Sequence, residues 1–508
     1  MSTGRPVPPG QAVPPGQAVP SDLAVPSELS VPFDLAGLRR ELAAAPAAGR
    51  LRPVGLRQVI DGEGALNGLA GAVAGLPRGA GPVVVLAAAT PMSAAGRDLR
   101  SVAVDALRQR FPVDWVTVGP AAAGEPLHAD APTVAAATAA VAGAGVVVTI
   151  GSGTITDIGK AATPASTPLV AVQTATSVNG YADPFSVLLR DGVKRTTPTR
   201  WPDLLVIDPA VLAAAPPELN RAGIGDLMAM FTASADWYLA AAIRAGAGPD
   251  QPAGGDPAYH GAITGLTRAH GGRLLTLAAR LDTDPGALAG LARILTLSGI
   301  GMGVAGSTAP ASGLEHAVSH LLEMAADARG EAASFHGTQV GVGTVVAAAT
   351  WAHVRRAIAG GALERAARLP DPDAARDRIT RSFAVIDPSG AMAAECFADY
   401  ARKLSALASA GDPLAGLRRS WAEHETVLDS LLTGPGEVAT ALRSAGLPAR
   451  FGELPEPVSD AAARWAVTSC PLMRQRLSVA DLAVLLGCWE AADIDEVLAA
   501  AAAAAGPP

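Results

Sequence analysis

The chain has 508 residues, with 39 Lys+Arg against 47 Asp+Glu and a formal net charge of −8. Apolar residues make up 49% and charged residues 17%, which excludes a disordered chain and suffices for the cores of two or three domains. The acidic balance, with no basic run, argues against a nucleic-acid or anionic-membrane binder, because phosphate contacts need clustered Lys and Arg.

The first 35 residues repeat every six from Pro8 (PPGQAV, PPGQAV, PSDLAV, PSELSV, PFDL). A proline at that period forbids a continuous helix and removes strand donors, so residues 1–36 read as a disordered tail. No charged stretch leads into an apolar segment there, so no secretory signal is read. From residue 37 to 208 short apolar runs alternate with Ala-rich helical stretches. Pro82–Ala89 reads as a buried parallel strand, Leu99–Phe111 as a helix and Val113–Val118 as a second strand. Thr133–Ala142 reads as a helix and Gly145–Ile150 as a third buried strand. This alternation predicts a doubly wound parallel sheet. A linker-like patch at Thr196–Pro202 follows. Beyond Asp208 the β-branched runs nearly vanish, and residues 209–498 read as an all-α domain. Residues 499–508, an alanine run closed by Gly-Pro-Pro, read as a frayed, disordered end.

Two stretches without charge, Ala131–Thr156 and Ile294–Leu314, are rich in Gly, Ser and Thr and suit buried segments better than membrane insertion. Cys396, Cys470 and Cys488 lie far apart without CxxC spacing, which excludes a disulfide scaffold or zinc finger and fits a cytoplasmic protein. Only three lysines (Lys160, Lys194, Lys403) stand against 36 arginines, which reads as a coding bias.

Three constellations carry chemistry. Gly151-Ser152-Gly153-Thr154-Ile155-Thr156-Asp157 follows a strand, so its backbone N–H groups and the next helix's N-terminus could cradle a phosphate, or simply make a tight turn. Gln173-Thr174-Ala175-Thr176-Ser177-Val178-Asn179 gathers hydroxyls and amides at another strand end, facing the same crevice or capping a helix. His316 and His320 are four apart on one helix face, and His336 follows within 21 residues. With an upstream carboxylate such as Asp226, two imidazoles make a catalytic site for a divalent metal, with zinc, iron and nickel all suited. His128, His260, His270, His353 and His424 are isolated and read as surface or packing residues. Trp351, Trp421, Trp465 and Trp489 sit among aliphatics and read as core.

In order, GSGTITDIGK (151–160), TATSVNGYADPFS (174–186), AGIGDLMAMFTASADW (222–237), SGIGMGVAGSTAPASGLEHAVSHLLEM (298–324) and FHGTQVGVGT (335–344) resemble the glycerol-1-phosphate dehydrogenase branch of the iron-containing alcohol dehydrogenase and dehydroquinate synthase-like superfamily. The resemblance implies an N-terminal Rossmann-like dinucleotide-binding domain, a C-terminal helical domain and an active site in the cleft between them. It implies NAD or NADP held by Gly151, Ser152, Gly153, Thr154, Asp157, Thr174, Ser177 and Asp183. It also implies metal ligands Asp226, His316 and His336, a substrate contact at Asn179, and His320 beside the substrate as proton relay. A homodimer acting on a small-molecule substrate is implied as well. Asn179 stands where the family usually has Asp, and Asp183 where it has Ser. Ala87–Ala89 lack the carboxylate that often holds the adenosine ribose. The expected chemistry is metal-dependent NAD(P) oxidoreduction of a polyol phosphate. The alternatives are a sugar-phosphate cyclase with catalytic NAD, or a non-catalytic cofactor-binding homologue.

Overall fold

A computed structural model of the chain describes residues 33–94, 96–119, 127–245 and 258–507. Most of the proline repeat, residues 1–32, lies outside the described residues. Its last unit does not continue the tail. Asp34 caps helix α1 (Leu35–Ala44) by accepting from the Gly37 N–H, and Leu35, Leu38 and Leu42 are buried in the main core. A capping carboxylate followed by three core leucines starts a helix where the repeat's composition alone suggested none.

Six parallel strands form the central sheet: β1 (Gln58–Asp61), β2 (Val83–Ala88), β3 (Val113–Val118), β4 (Val146–Gly151), β5 (Leu169–Gln173) and a last strand, Leu204–Ile207. Their spatial order is β1, Leu204–Ile207, β5, β4, β2, β3. The strands are built for burial on both faces. In β2, Val83, Val85 and Ala87 enter one core while Val84 and Leu86 enter the core on the other face. Helices α2 (Leu99–Arg108), α3 (Ala131–Ala140) and α4 (Gly153–Ala162) cover these faces. The chain runs from β2 to the edge strand β3, then returns to the other side of β2 as β4. The strand order therefore reverses between β2 and β4, and a crevice opens outside their carboxyl ends.

Between β5 and the last sheet strand, β6 (Phe185–Arg190) and β7 (Val193–Pro198) form an antiparallel hairpin. The expected linker at Thr196–Pro202 is thus partly strand. The Lys194–Thr197 stretch of β7 is half-buried and gains its partners only on docking. The last sheet strand is labelled β8 (Leu204–Ile207).

Among the described residues everything after β8 is helical or loop. Helices α5 (Pro217–Met228), α6 (Ala233–Ala245), α7 (Pro285–Ala305), α8 (Leu314–Arg329) and α9 (His336–Ala359) form the heart of this half. Leu205, Ile207 and Ala171 share one core with Ile224 and Leu295, so the helical half seals one face of the sheet. Helix α7 is long and apolar enough to cross a membrane, but Ala287–Ala305 is buried inside the fold. Further helices include α10 (Ala391–Ser409), α11 (Asp460–Ser469), α12 (Val479–Leu486) and α13 (Ala491–Ala504). The alanine run expected to be a disordered end, residues 499–508, is helical through Ala504, with Ala501 and Ala505 buried. Alanine has the best helix propensity, and here it also has a surface to pack on.

Candidate active site

The crevice at the strand reversal is a cleft of about 860 Å³. Its sheet side is Ala88, Thr90 and Pro91 after β2, with Gly151, Ser152, Gly153 and Thr154 after β4 and Thr174, Ser177 and Asn179 after β5. Its far end is Asp226, His316, His320, Glu323 and His336 from the helical half. Every residue expected to hold cofactor, metal or substrate lines this one cleft.

The β4–α4 turn needs its glycines. A Cβ on Gly151 would lie 2.8 Å from Ile155, and one on Gly153 would lie 2.8 Å from Val178. Ser152 is the N-cap of α4, yet its side chain caps nothing. The helix N-terminus therefore faces the cleft without a side-chain acceptor, the arrangement that takes up an anion. Asp157 and Asp183 line the cleft, but their carboxylates serve Lys160. Lys160 Nζ lies 3.0 Å from Asp157 Oδ1 and 3.0 Å from Asp183 Oδ1, and donates to the carbonyls of Gly180 and Phe185. Asp157 Oδ2 also accepts from the Val187 N–H at 3.0 Å, which ties the hairpin to α4. Burial raises Asp183 to about 6 despite the lysine beside it. These two acids therefore brace the cleft wall, a support role that the expected cofactor contacts did not include.

Backbone contact between helices brings the ligand residues together. A Cβ on Gly225 of α5 would sit 2.1 Å from the Gly337 carbonyl oxygen, and one on Gly337 of α9 would sit 2.0 Å from that of Ala222. Only glycine permits that approach, and it sets Asp226 beside His336. Asp226 Oδ1 lies 3.3 Å from His316 Nε2 and 3.9 Å from His336 Nε2. A tetrahedral ion with ligands at about 2.1 Å spaces them roughly 3.4 Å apart, so this donor set fits a divalent metal. Asp226 Oδ2 accepts from the Asn179 N–H at 3.1 Å. His316 Nδ1 is 3.1 Å from Glu315 Oε1, and His336 Nδ1 is 3.1 Å from Glu323 Oε1. Carboxylates behind both imidazoles hold their ring orientation. Burial alone would depress His316, but hydrogen bonds and charge from Asp226 and Glu315 outweigh it and lift the imidazole to about 9. Such a site favours a positive charge, as a metal site should.

His320 does not join the triad. Its Nδ1 is 3.0 Å from Arg474 Nη2. A guanidinium only donates, so Nδ1 accepts and the ring proton of neutral His320 sits on Nε2. Burial, Arg474 and His336 together push His320 well below the usual histidine range. Asn179 Nδ2 donates to Ser298 Oγ at 3.1 Å, which fixes its amide.

Glu315, Glu323, Lys194 and Arg474 escaped the sequence reading. Glu315 and Glu323 are buried on α8, and buried carboxylates are nearly always paired, but only the fold reveals that burial. The rarity of lysine, read above as a coding bias, was a usable signal. Lys160 and Lys403 are buried in ion clusters, and Lys194 lies in the cleft. Of the isolated histidines, His260, His270 and His353 are buried, as packing residues should be, whereas His128 lines the cleft. Trp351 and Trp489 are core, and Trp351 Nε1 donates to Asp236 at 3.0 Å.

The sequence profile of the iron-containing alcohol dehydrogenase family matches residues 62–216. The chain is similar to the glycerol-1-phosphate dehydrogenase [NAD(P)+] of Methanothrix thermoacetophila, 33% identical over 199 residues, covering 39% of this chain and 52% of the relative. It is similar to that of Sulfurisphaera tokodaii at 32% over 235 residues, covering 45% and 63%. The chain thus spans about half to three-fifths of the length of these curated relatives. A probable glycerol dehydrogenase from Sinorhizobium meliloti 1021 has the same fold, with a TM-score of 0.52 at 18% identity over 88% of this chain and 97% of that one.

Proposed function

We propose that the chain is a metal-dependent NAD(P) oxidoreductase. Its substrate pair would be a secondary alcohol and ketone of the polyol phosphate class, such as sn-glycerol 1-phosphate and dihydroxyacetone phosphate. One observation carries this reading. The helix N-terminus at the Gly151–Gly153 turn and the Asp226, His316 and His336 triad open onto one cleft. That is what hydride transfer to a polarised carbonyl requires.

Asp226, His316 and His336 would hold zinc, iron or nickel. Bound there, the metal supplies Lewis acidity at the carbonyl oxygen, and NAD(P) supplies the hydride acceptor or donor. The chain's own residues do the rest. The Gly151–Thr154 backbone receives a pyrophosphate at the start of α4, and Thr174 and Ser177 line the same wall. Asn179, held by Ser298, orients a substrate hydroxyl with its amide oxygen. His320 exchanges the hydroxyl proton at Nε2, directly or through water. A cytoplasmic homodimer belongs to the same reading.

Asp226→Ala and His336→Ala variants test it. Each is expected to lose stoichiometric metal and at least 100-fold in turnover, since removing an electrostatic group aimed at developing charge typically costs 10²–10³. Wild-type turnover in either variant after metal stripping contradicts the assignment. Net oxidation of NAD(P)H separates a dehydrogenase from a cyclase that returns its NAD unchanged.

A further inference from the structure

Lys194 is unlike the other two lysines. Lys160 is fully buried among Asp157, Asp183 and carbonyls, and Lys403 among Asp481 and carbonyls. Lys194 projects from β7 into the cleft at its helical end, with 24% of its side chain exposed. Its Nζ stands 3.0 Å from Glu323 Oε2 as an ion pair. An ammonium carries three N–H donors, so one serves Glu323 while the others can turn into the cleft. Glu323 is itself occupied by His336 at its other oxygen, which keeps the carboxylate turned toward α9. Arg474 stands behind His320 on the same side of the cleft and adds positive potential.

Strand β7 carries Lys194 into place by a firm anchor. The next residue, Arg195, lies 3.1 Å from Glu395 and 3.4 Å from Asp399 of α10, and donates to the Met473 carbonyl at 3.0 Å. The cleft therefore has two anion-attracting ends. One is the α4 N-terminus, at the distance of the sheet. The other is Lys194, next to the triad.

We propose that Lys194 is the specificity-determining residue for an anionic substrate, receiving the phosphate end of a polyol phosphate while the carbon to be oxidised lies at the triad. This rests on the dehydrogenase reading above. It adds that the phosphate is read from the hairpin side and not from the glycine turn, which the cofactor occupies. A charge-assisted lysine contact is worth about tenfold to hundredfold in binding.

The test compares Lys194→Met with wild type in the full, metal-loaded chain. The readout is the ratio of kcat/KM for dihydroxyacetone phosphate to that for dihydroxyacetone. A fall in this ratio of roughly 30-fold is expected, with partial recovery in Lys194→Arg. An unchanged ratio overturns the inference, whether both substrates lose equally or neither does, because a structural role would weaken both. Calorimetric titration of inorganic phosphate into the cofactor-loaded protein is the second readout. If wild type binds phosphate, Lys194→Met does not, and no ketone is reduced, Lys194 is still the anion site and the dehydrogenase reading fails. If wild type reduces the phosphorylated ketone and Lys194→Met binds phosphate equally well, the dehydrogenase reading stands and the Lys194 inference fails.

Discussion

At the scale of single residues, the metal triad owes its character to what stands behind it. Glu315 and Asp226 flank His316 from both ring nitrogens and raise it to about 9, against an ordinary 6.5. A raised folded-state value means that protonation stabilises the folded chain. In the metal-free protein that contribution is complete below about pH 6.5 and is lost as pH rises toward 9. The melting temperature of metal-free protein should therefore fall across that window. Asp226→Asn should flatten the fall, and saturating zinc should remove it, since a bound cation replaces the proton. Differential scanning calorimetry at pH 6.5, 7.5 and 9 checks this. A metal-free melting temperature that rises through the window contradicts it. The sequence marked His316 by its i, i+4 spacing from His320, His336 by its nearness in the chain, and Asp226 as an upstream carboxylate beside small residues. The supporting acids were not, because a glutamate next to or seven residues beyond a ligand resembles any helical glutamate until the fold buries it.

At the scale of elements, the site depends on how closely α5 and α9 approach. Gly225 and Gly337 leave no room for a Cβ, as the backbones themselves are in contact. Gly225→Ala should therefore cost about 1–3 kcal/mol by overpacking, more than the propensity gain of alanine in a helix returns. It should also weaken metal binding by moving Asp226 from His336. Urea unfolding and metal stoichiometry measure the two effects, and a variant more stable than wild type with full metal would contradict the close-contact argument. Strands β2, β3 and β4 were legible almost residue by residue, because runs such as Val146–Ile150 are apolar on both faces and bounded by turns, whereas β1 and β8 are four-residue strands that were not read as such. The β6–β7 hairpin was not. Its Lys-Arg-Thr-Thr stretch carries no apolar period, and the docking that holds it, Arg195 on α10 and Asp157 on the Val187 N–H, is long-range.

At the scale of the whole molecule, the C-terminal helices close the cleft from behind. Lys403 Nζ lies 2.6 Å from Asp481 Oδ1 and donates to the Pro471 carbonyl, which fixes the segment carrying Arg474. Asp236 gathers the Leu314 and Val479 N–H groups and Trp351 Nε1, joining α8, α12 and α9 at one carboxylate. Burial and the nearby Glu315 push Asp236 well above the usual carboxylate range. Lys403→Met should cost about 3–5 kcal/mol by leaving Asp481 buried and unpaired. It should also lower turnover by loosening Arg474 from His320, although Lys403 is remote from the cleft. Chemical unfolding together with steady-state rates checks this, and a loss under 1 kcal/mol would argue against a buried pair. The two-part architecture followed from composition. The grip of the C-terminal helices on the site did not, because those contacts join residues up to 243 apart in sequence.

Absorbance at 340 nm tests the dehydrogenase reading most directly. Purified protein would be given dihydroxyacetone phosphate with NADH or NADPH, with a chelator and then with added zinc, iron or nickel. Consumption of reduced cofactor that stops on chelation and returns with metal is expected. No consumption with dihydroxyacetone phosphate or unphosphorylated ketones, by protein that holds metal and binds cofactor, would contradict it.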